Sequence, residues 1–208
     1  KKIIFHQEEV TGDDGLGPWQ IYKTMKDDNV KVSIDGHGGD ELLGGYSGYP
    51  KIAMNDVNPI SNFLYWIDLL KIHIIMNDKD NDEKKVFKIF IDKSIEVLKN
   101  NLIKSKKRKD YTSLFNIPAV NRDLEVIDNI NKLSSLNKAL YIDYHYKAMQ
   151  LNLKKYDKFS MAHSIETRFP FLDFRLACFC FSLPNSLKIK KGFTKIILRK
   201  IMNNKLPN

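Results

Sequence analysis

The chain has 208 residues, 43% of them hydrophobic, with a formal net charge of +9 and a pI near 9.3. That apolar share can bury a core and argues against wholesale disorder, and the length allows one ordinary domain or part of a larger one. No apolar run reaches the ~18 uncharged residues that a membrane span needs.

The charge is uneven. Residues 1–50 carry five lysines against nine acids, 84–109 carry ten basic residues against two acids, and 184–208 carry seven basic residues and no acid. A basic carboxy-terminal region beside an acidic loop fits a site for a polyanionic nucleotide. The run Ser105 to Asp110 reads as a solvated helix end or loop, where basic residues favour the helix dipole. No DNA- or RNA-binding module is recognisable, so neither nucleic acid nor membrane is an expected partner. Cys178 and Cys180, two apart in an apolar stretch, cannot supply a four-ligand zinc site and read as core thiols in a reducing cytoplasm.

In chain order, Ile3 to Phe5 reads as a short strand leading to polar residues. Pro18 suits the first turn of a helix running to about Asp28, with Ile21, Tyr22 and Met25 on one face. The β-branched run in Val30 to Asp35 reads as a strand, and a helix follows over 40–46. Between them lies Asp35-Gly36-His37-Gly38-Gly39-Asp40-Glu41. Gly36, Gly38 and Gly39 permit φ > 0 and close approach of a ligand to the main chain. Strand, glycine loop and helix start is how α/β enzymes bring N–H groups and a carboxylate to a phosphate-bearing ligand. Asp40 and Glu41 would repel a bare phosphate but suit a Mg²⁺ that bridges to one. The plain alternative is a tight turn with an acidic helix cap.

Helices are expected over 60–76, 83–104, 122–135, 138–158, 174–183 and 194–202, joined by polar connectors at 77–82 and 104–110. Val86, Phe87, Phe90, Ile91, Ile95 and Leu98 form the apolar stripe of the second. Phe169-Pro170 forces an extended stretch. Around it Glu166, Arg168 and Asp173 stand among Phe169, Phe171 and Phe174, where buried charge must be paired. They read as a structural carboxylate–arginine network or as substrate-positioning groups. Lys195 and Arg199 are four apart on one helical face, either contacting phosphate or solvated. The remaining histidines make no metal spacing, and no Ser-His-Asp arrangement is present.

Together the glycine loop, Gly44-Gly45-Tyr46, Ser160-Met161, Glu166-Thr167-Arg168-Phe169-Pro170-Phe171-Leu172-Asp173, Gly192-Phe193-Thr194-Lys195, Leu198-Arg199 and Leu206-Pro207 resemble the synthetase domain of the asparagine synthetase family. They occur in the family's order, over roughly 1–50 and 140–208. The resemblance implies an α/β fold, a partial nucleotide-binding (PP-loop ATP pyrophosphatase-like) synthetase domain that is mostly helical in this chain. Residues 1–50 would give its strand and glycine loop, and 51–208 its helical part. The family's Ser-Gly-Gly-x-Asp-Ser loop, its Arg-x-Lys motif and its glutaminase domain with a leading cysteine do not occur in these residues. The chain is therefore expected to be the carboxy-terminal portion of such a domain, inactive in isolation.

By the same resemblance, the whole protein would be an ATP-dependent amide-forming ligase of the glutamine-hydrolysing asparagine synthase type. It would activate a carboxylic acid as an acyl-adenylate and transfer glutamine-derived ammonia, with a glutaminase domain as partner. ATP and Mg²⁺ are the implied cofactors, the ion offsetting charge between carboxylate and phosphates. Asp40 is the implied metal carboxylate, and Gly36, Gly38, Gly39 and Lys195 the nucleotide-binding residues. Glu41, Glu166 and Arg168 would serve the substrate or a structural network. Asparagine-forming members carry an acid, in Ser-Gly-Glu-Gly, where this chain has His37. A neutral imidazole also accepts a proton from an amine nucleophile, and glycines on both sides leave it an exposed role, with a simple loop histidine as the alternative. Two other readings stand beside this one: an amidotransferase relative acting on a sugar acid or peptide, and a non-catalytic basic module that binds an acidic partner or nucleic acid.

Overall fold

A computed structural model describes residues 2–8, 15–77 and 130–206, with the isolated positions 91 and 95. The helix expected over 83–104 and its apolar stripe, apart from Ile91 and Ile95, lie outside these residues. So do the basic run at 105–110 and most of the helix expected over 122–135.

The chain opens with helix α1 (Lys2–Gln7), where a strand was expected. A strand needs a neighbour to satisfy its backbone groups, and the segment packs instead against a later helix, satisfying its own. Lys158 from that helix donates to the Gln7 carbonyl at 2.8 Å, supplying a partner at the α1 carboxy terminus. Helix α2 (Leu16–Asp27) holds Pro18 in its first turn, as anticipated, and buries Tyr22. Strand β1 (Val32–Ile34) follows, shorter than its apolar run. Helix α3 (Gly39–Leu43) stops early because Gly44 turns the chain into the left-handed region (φ 70°).

Helix α4 (Tyr49–Ala53), with Pro50 in its first turn, leads through a 3₁₀ turn at Met54–Asp56 to α5 (Phe63–Asn77). The expected helix over 138–158 is two, α6 (Ser135–Tyr146) and α7 (Ala148–Met161), broken where Lys147 takes non-helical angles (φ −127°, ψ −100°). The start of α6 is capped twice. Ser134 accepts from the Asn137 N–H, and Asp56 accepts from the N–H groups of Ser135 and Leu136 at 2.6 and 3.0 Å.

Strand β2 (Glu166–Arg168) then runs parallel to β1, with Val32 opposite Glu166 and Ile34 opposite Arg168. Strand content thus extends into the part expected to be helical. Helix α8 (Phe174–Ser182) begins at Asp173, whose carboxylate accepts from the Arg175 N–H. Only Cys180 is buried and Cys178 is exposed, because residues two apart on a helix face different ways. Helix α9 (Asn185–Lys188) runs into an unforeseen hairpin of β3 (Ile189–Lys190) and β4 (Phe193–Thr194). Its turn is fixed by Asp68 of α5, which accepts from the N–H groups of Lys191 and Gly192. Helix α10 (Ile196–Met202) starts two residues later than expected because Thr194 belongs to the hairpin.

The architecture is mostly helical with two small sheets, as a partial α/β domain would be. Trp66, Leu69 and Leu70 of α5 pack with Leu136 and Leu140 of α6 and Tyr49 and Ala53 of α4. A second cluster joins Leu42 and Leu43 of α3 to Ala177 and Cys180 of α8. The glycine loop is therefore anchored at its far end, each buried leucine contributing about 1.5–3 kcal/mol. A third cluster joins Tyr22 of α2 to Phe159 and Ile165.

Candidate functional site

The loop between β1 and α3 is held at its start by Asp35. Its backbone N–H donates to the Arg168 carbonyl at 2.9 Å, continuing the β1–β2 ladder. Its carboxylate accepts from Tyr22 Oη at 2.7 Å on Oδ2 and from Ser33 Oγ at 2.6 Å on Oδ1. Burial, and then the bond to Asp35, push the Tyr22 phenol above its ordinary range. Asp35 thus ties α2, β1 and β2 together at the mouth of the loop.

His37 is packed, contrary to the expectation of an exposed imidazole. Its ring lies edge-on to Tyr156 of α7 at 4.1 Å and to Phe169 at 5.5 Å, leaving the side chain 20% exposed. The aromatic partners come from distant segments, so flanking glycines gave no sign of them. Nδ1 is buried without a hydrogen-bond partner among the described residues, and stands 3.8 Å from Asp35 Oδ2.

Of the three loop glycines, Gly38 alone has positive φ (98°). A Cβ there would lie 3.1 Å from Phe171 Cβ and 3.2 Å from Leu172 Cδ2, so the loop presses on the 3₁₀ turn Pro170–Leu172. Gly39 lies close to the Phe171 ring, while a side chain at Gly36 would meet nothing within 4 Å.

Asp40 and Lys195 meet across the loop's exit. Asp40 Oδ1 is 2.8 Å from Lys195 Nζ, and both side chains are about one-third exposed (35% and 29%). The pair lies directly on the backbone at Gly45, where any Cβ would overlap Asp40 Oδ1 and Lys195 Cε. Lys195 reaches it from a left-handed residue (φ 53°) between β4 and α10. An ion pair this exposed contributes at most about 1 kcal/mol, so an incoming phosphate or cation can displace either partner. Arg199 does not act with Lys195. It donates to the Thr194 carbonyl at 3.0 Å and lies over the Phe193 ring, holding the hairpin to α10.

The two acids of the loop part company. Glu41 is 1% exposed and accepts from Tyr46 Oη at 2.6 Å, facing the interior. Burial, followed by the Glu41 bond, raises the Tyr46 phenol. Beside it Tyr49 donates to Asp143 at 2.8 Å, and burial raises the Asp143 carboxyl. Among the described residues no group of three or more His, Cys, Asp or Glu could hold a metal. One surface carboxylate, Asp40, does not make a resident metal site. It does fit Mg²⁺ that arrives on phosphates, which needs one or two carboxylates and keeps several waters.

Glu166 and Arg168 pair at 3.0 Å on β2, but in the open, 62% and 63% exposed, not buried among the phenylalanines. Asp173 binds Arg175 instead of Arg168, and that hydrogen bond lowers its carboxyl to about 2. The structure therefore brings Asp40 and Lys195 together with the glycine loop and His37, and turns Glu41 away. Asp35, Tyr22, Gly45 and Tyr46 were given no role from sequence. The i, i+2 spacing of Ser33 and Asp35 was a usable sign, since such residues share a side of an extended chain.

The family model for asparagine synthase matches residues 1–208. The chain belongs to the asparagine synthase family. Asparagine synthetase [glutamine-hydrolyzing] 1 of Bacillus subtilis (strain 168) is 28% identical over 215 residues, taking in 99% of this chain and 33% of that protein. The chain thus spans about one third of the length of the curated relative it matches. No solved structure gives a significant match. No helix among the described residues is long and apolar enough to cross a membrane.

Proposed function

We propose that this family member is the carboxy-terminal part of the synthetase domain of a longer ATP-dependent ligase, which forms an amide through an acyl-adenylate. Aspartate is the leading acceptor acid and glutamine-derived ammonia the amine, released by a glutaminase domain of the same protein. The observation that carries this reading is the Asp40–Lys195 pair laid over Gly45 beside the glycine loop. It offers a carboxylate for a cation and an ammonium for an anion within one hydrogen-bond length, which is what a Mg²⁺–nucleotide presents in mirror image. The name of the Bacillus subtilis relative, and the third of its length that the chain spans, support the longer protein and its use of glutamine.

In this reading Asp40 would hold Mg²⁺, which would supply charge neutralisation between the acid and the phosphates. Lys195 turns from Asp40 to a phosphate oxygen. The loop of Gly36, Gly38 and Gly39 gives the adenylate a floor without side chains. When the ammonia lone pair attacks the acyl carbon, the surplus proton passes to His37, and AMP leaves with the electron pair of the broken C–O bond. A second reading, an amidotransferase acting on a sugar acid or peptide, is favoured by His37 standing where asparagine-forming members carry an acid.

The test is made in the full-length protein. Asp40→Asn and Lys195→Met are each expected to lower aspartate-dependent pyrophosphate release from ATP by ~10²–10³-fold, the usual worth of one electrostatic group at a reacting centre. Near-normal turnover of both at saturating Mg²⁺ would overturn the assignment. Wild-type release with a sugar acid but not with aspartate would establish the second reading.

A further inference from the structure

We propose that Asp35 is a positioning residue for His37, holding its imidazole in the Nδ1–H form so that Nε2 is the proton acceptor. The inference rests on the reading of His37 as the base. Three observations on the loop carry it. The Asp35 carboxylate is itself fixed, by its backbone bond to Arg168 and by donors from Tyr22 and Ser33 on its two oxygens. A carboxylate has about four acceptor positions, so two donors leave it room for a third. The imidazole is clamped by Tyr156 and Phe169, so its orientation is set by packing. That packing buries Nδ1 and leaves it 3.8 Å from Asp35 Oδ2.

The tautomer follows from charge. A neutral imidazole carries a proton on one nitrogen and a lone pair on the other. With the lone pair on Nδ1, a buried acceptor would face a carboxylate oxygen. With the proton there, a donor faces it, and Nε2 keeps its lone pair for a substrate. The 3.8 Å separation exceeds a hydrogen bond, and closing it takes a shift of roughly 1 Å, of the kind that tightens catalytic contacts when substrate binds. Among the described residues, the titratable groups around the ring are Asp35 after β1, Tyr156 of α7 and, through Asp35, Tyr22 of α2; Phe169 adds no charge. The acidic neighbour also stabilises the imidazolium formed when Nε2 takes the proton of the attacking amine.

The experiment reads the tautomer directly. The full-length protein is labelled with ¹⁵N-histidine, and long-range ¹H–¹⁵N correlation spectra of the ring nitrogens are recorded from pH 5 to 9, with His37→Gln assigning the signal. The neutral ring is expected as Nδ1–H in the wild-type protein, shifting towards Nε2–H in Asp35→Asn and remaining Nδ1–H in Ser33→Ala. In the full-length protein Asp35→Asn should lower kcat by ~10²-fold or more, as loss of an orienting carboxylate does in an Asp–His pair, with KM for ATP changed less than about twofold. An Nε2–H ring in the wild-type protein overturns the proposal, even where Asp35→Asn does not fold, and so does a tautomer unmoved in a folded Asp35→Asn. If His37→Gln leaves turnover of the full-length protein unchanged, the base reading fails while the tautomer result stands.

Discussion

Lys195 Nζ and Asp40 Oδ1 meet 2.8 Å apart over the Cα of Gly45, a position that leaves no room for a Cβ. The pair adds little to stability at its exposure, so the glycine is kept free for access and not for the strength of the contact. Gly45→Ala is expected to expel both side chains, costing about 1–3 kcal/mol through overpacking and abolishing aspartate-dependent pyrophosphate release in the full-length protein. Urea denaturation and the release assay check the two parts. An alanine variant with wild-type stability would show that the loop relaxes and the pair is not held by this contact.

Glu41 and Tyr46 form a bond that behaves differently. Tyr46→Phe would leave a carboxylate that is 1% exposed without the phenol donor, at a cost of about 1–3 kcal/mol or more for a charged group. Glu41→Gln in the Tyr46→Phe background should recover part of that loss, because an amide is cheaper to bury. Denaturation midpoints of the two variants measure it, and equal midpoints for wild type and Tyr46→Phe would remove the bond from the ledger of the fold.

Lys188 is fully buried, donates to Asn137 and lies 5.6 Å over the Phe181 ring, and burial lowers its ammonium to about 8. In the unfolded chain it titrates at its ordinary value of 10.5. Between these values the unfolded state holds the proton and the folded state does not, so stability rises with pH across the window. The stability of wild type relative to Lys188→Met should rise by on the order of 3 kcal/mol between about pH 8 and 10.5. Urea titrations of both proteins at several pH values supply the difference, and a gap independent of pH would place the ammonium in a better-solvated setting.

The 208-residue chain alone should release no pyrophosphate from ATP and aspartate. In the proposed reading Asp40 and Lys195 are the described residues that would address the phosphates, and the 208 residues contain no Ser-Gly-Gly-x-Asp-Ser loop. Each missing electrostatic group typically costs ~10²–10³ in rate. Release well above a control without protein would defeat this expectation.

Local chemistry made β1, the glycine loop and the start of α2 legible, because β-branched residues, glycines and Pro18 act within a few positions of themselves. The β1–β2 pairing was hidden, since Glu166-Thr167-Arg168 shows no apolar alternation and its partner lies far away in sequence. The β3–β4 hairpin is two residues a side, too short for any period, and is fixed by Asp68 from α5. The break at Lys147 has no glycine or proline to announce it. In the candidate site, residue types pointed to Asp40 and Lys195, but only the fold shows that they touch, that Glu41 turns inward and that His37 is packed.

The parallel pairing of Val32 with Glu166 also sets an order of events during synthesis. Asp40 and its glycines leave the ribosome before β2, and β2 before Lys195. Chains fold from the amino terminus as they emerge, so while the intervening residues are being made the loop exists without its neighbouring strand and without its ammonium. A nascent chain halted before β4 carries Asp40 without Lys195, and the pair closes over Gly45 only after the hairpin has emerged.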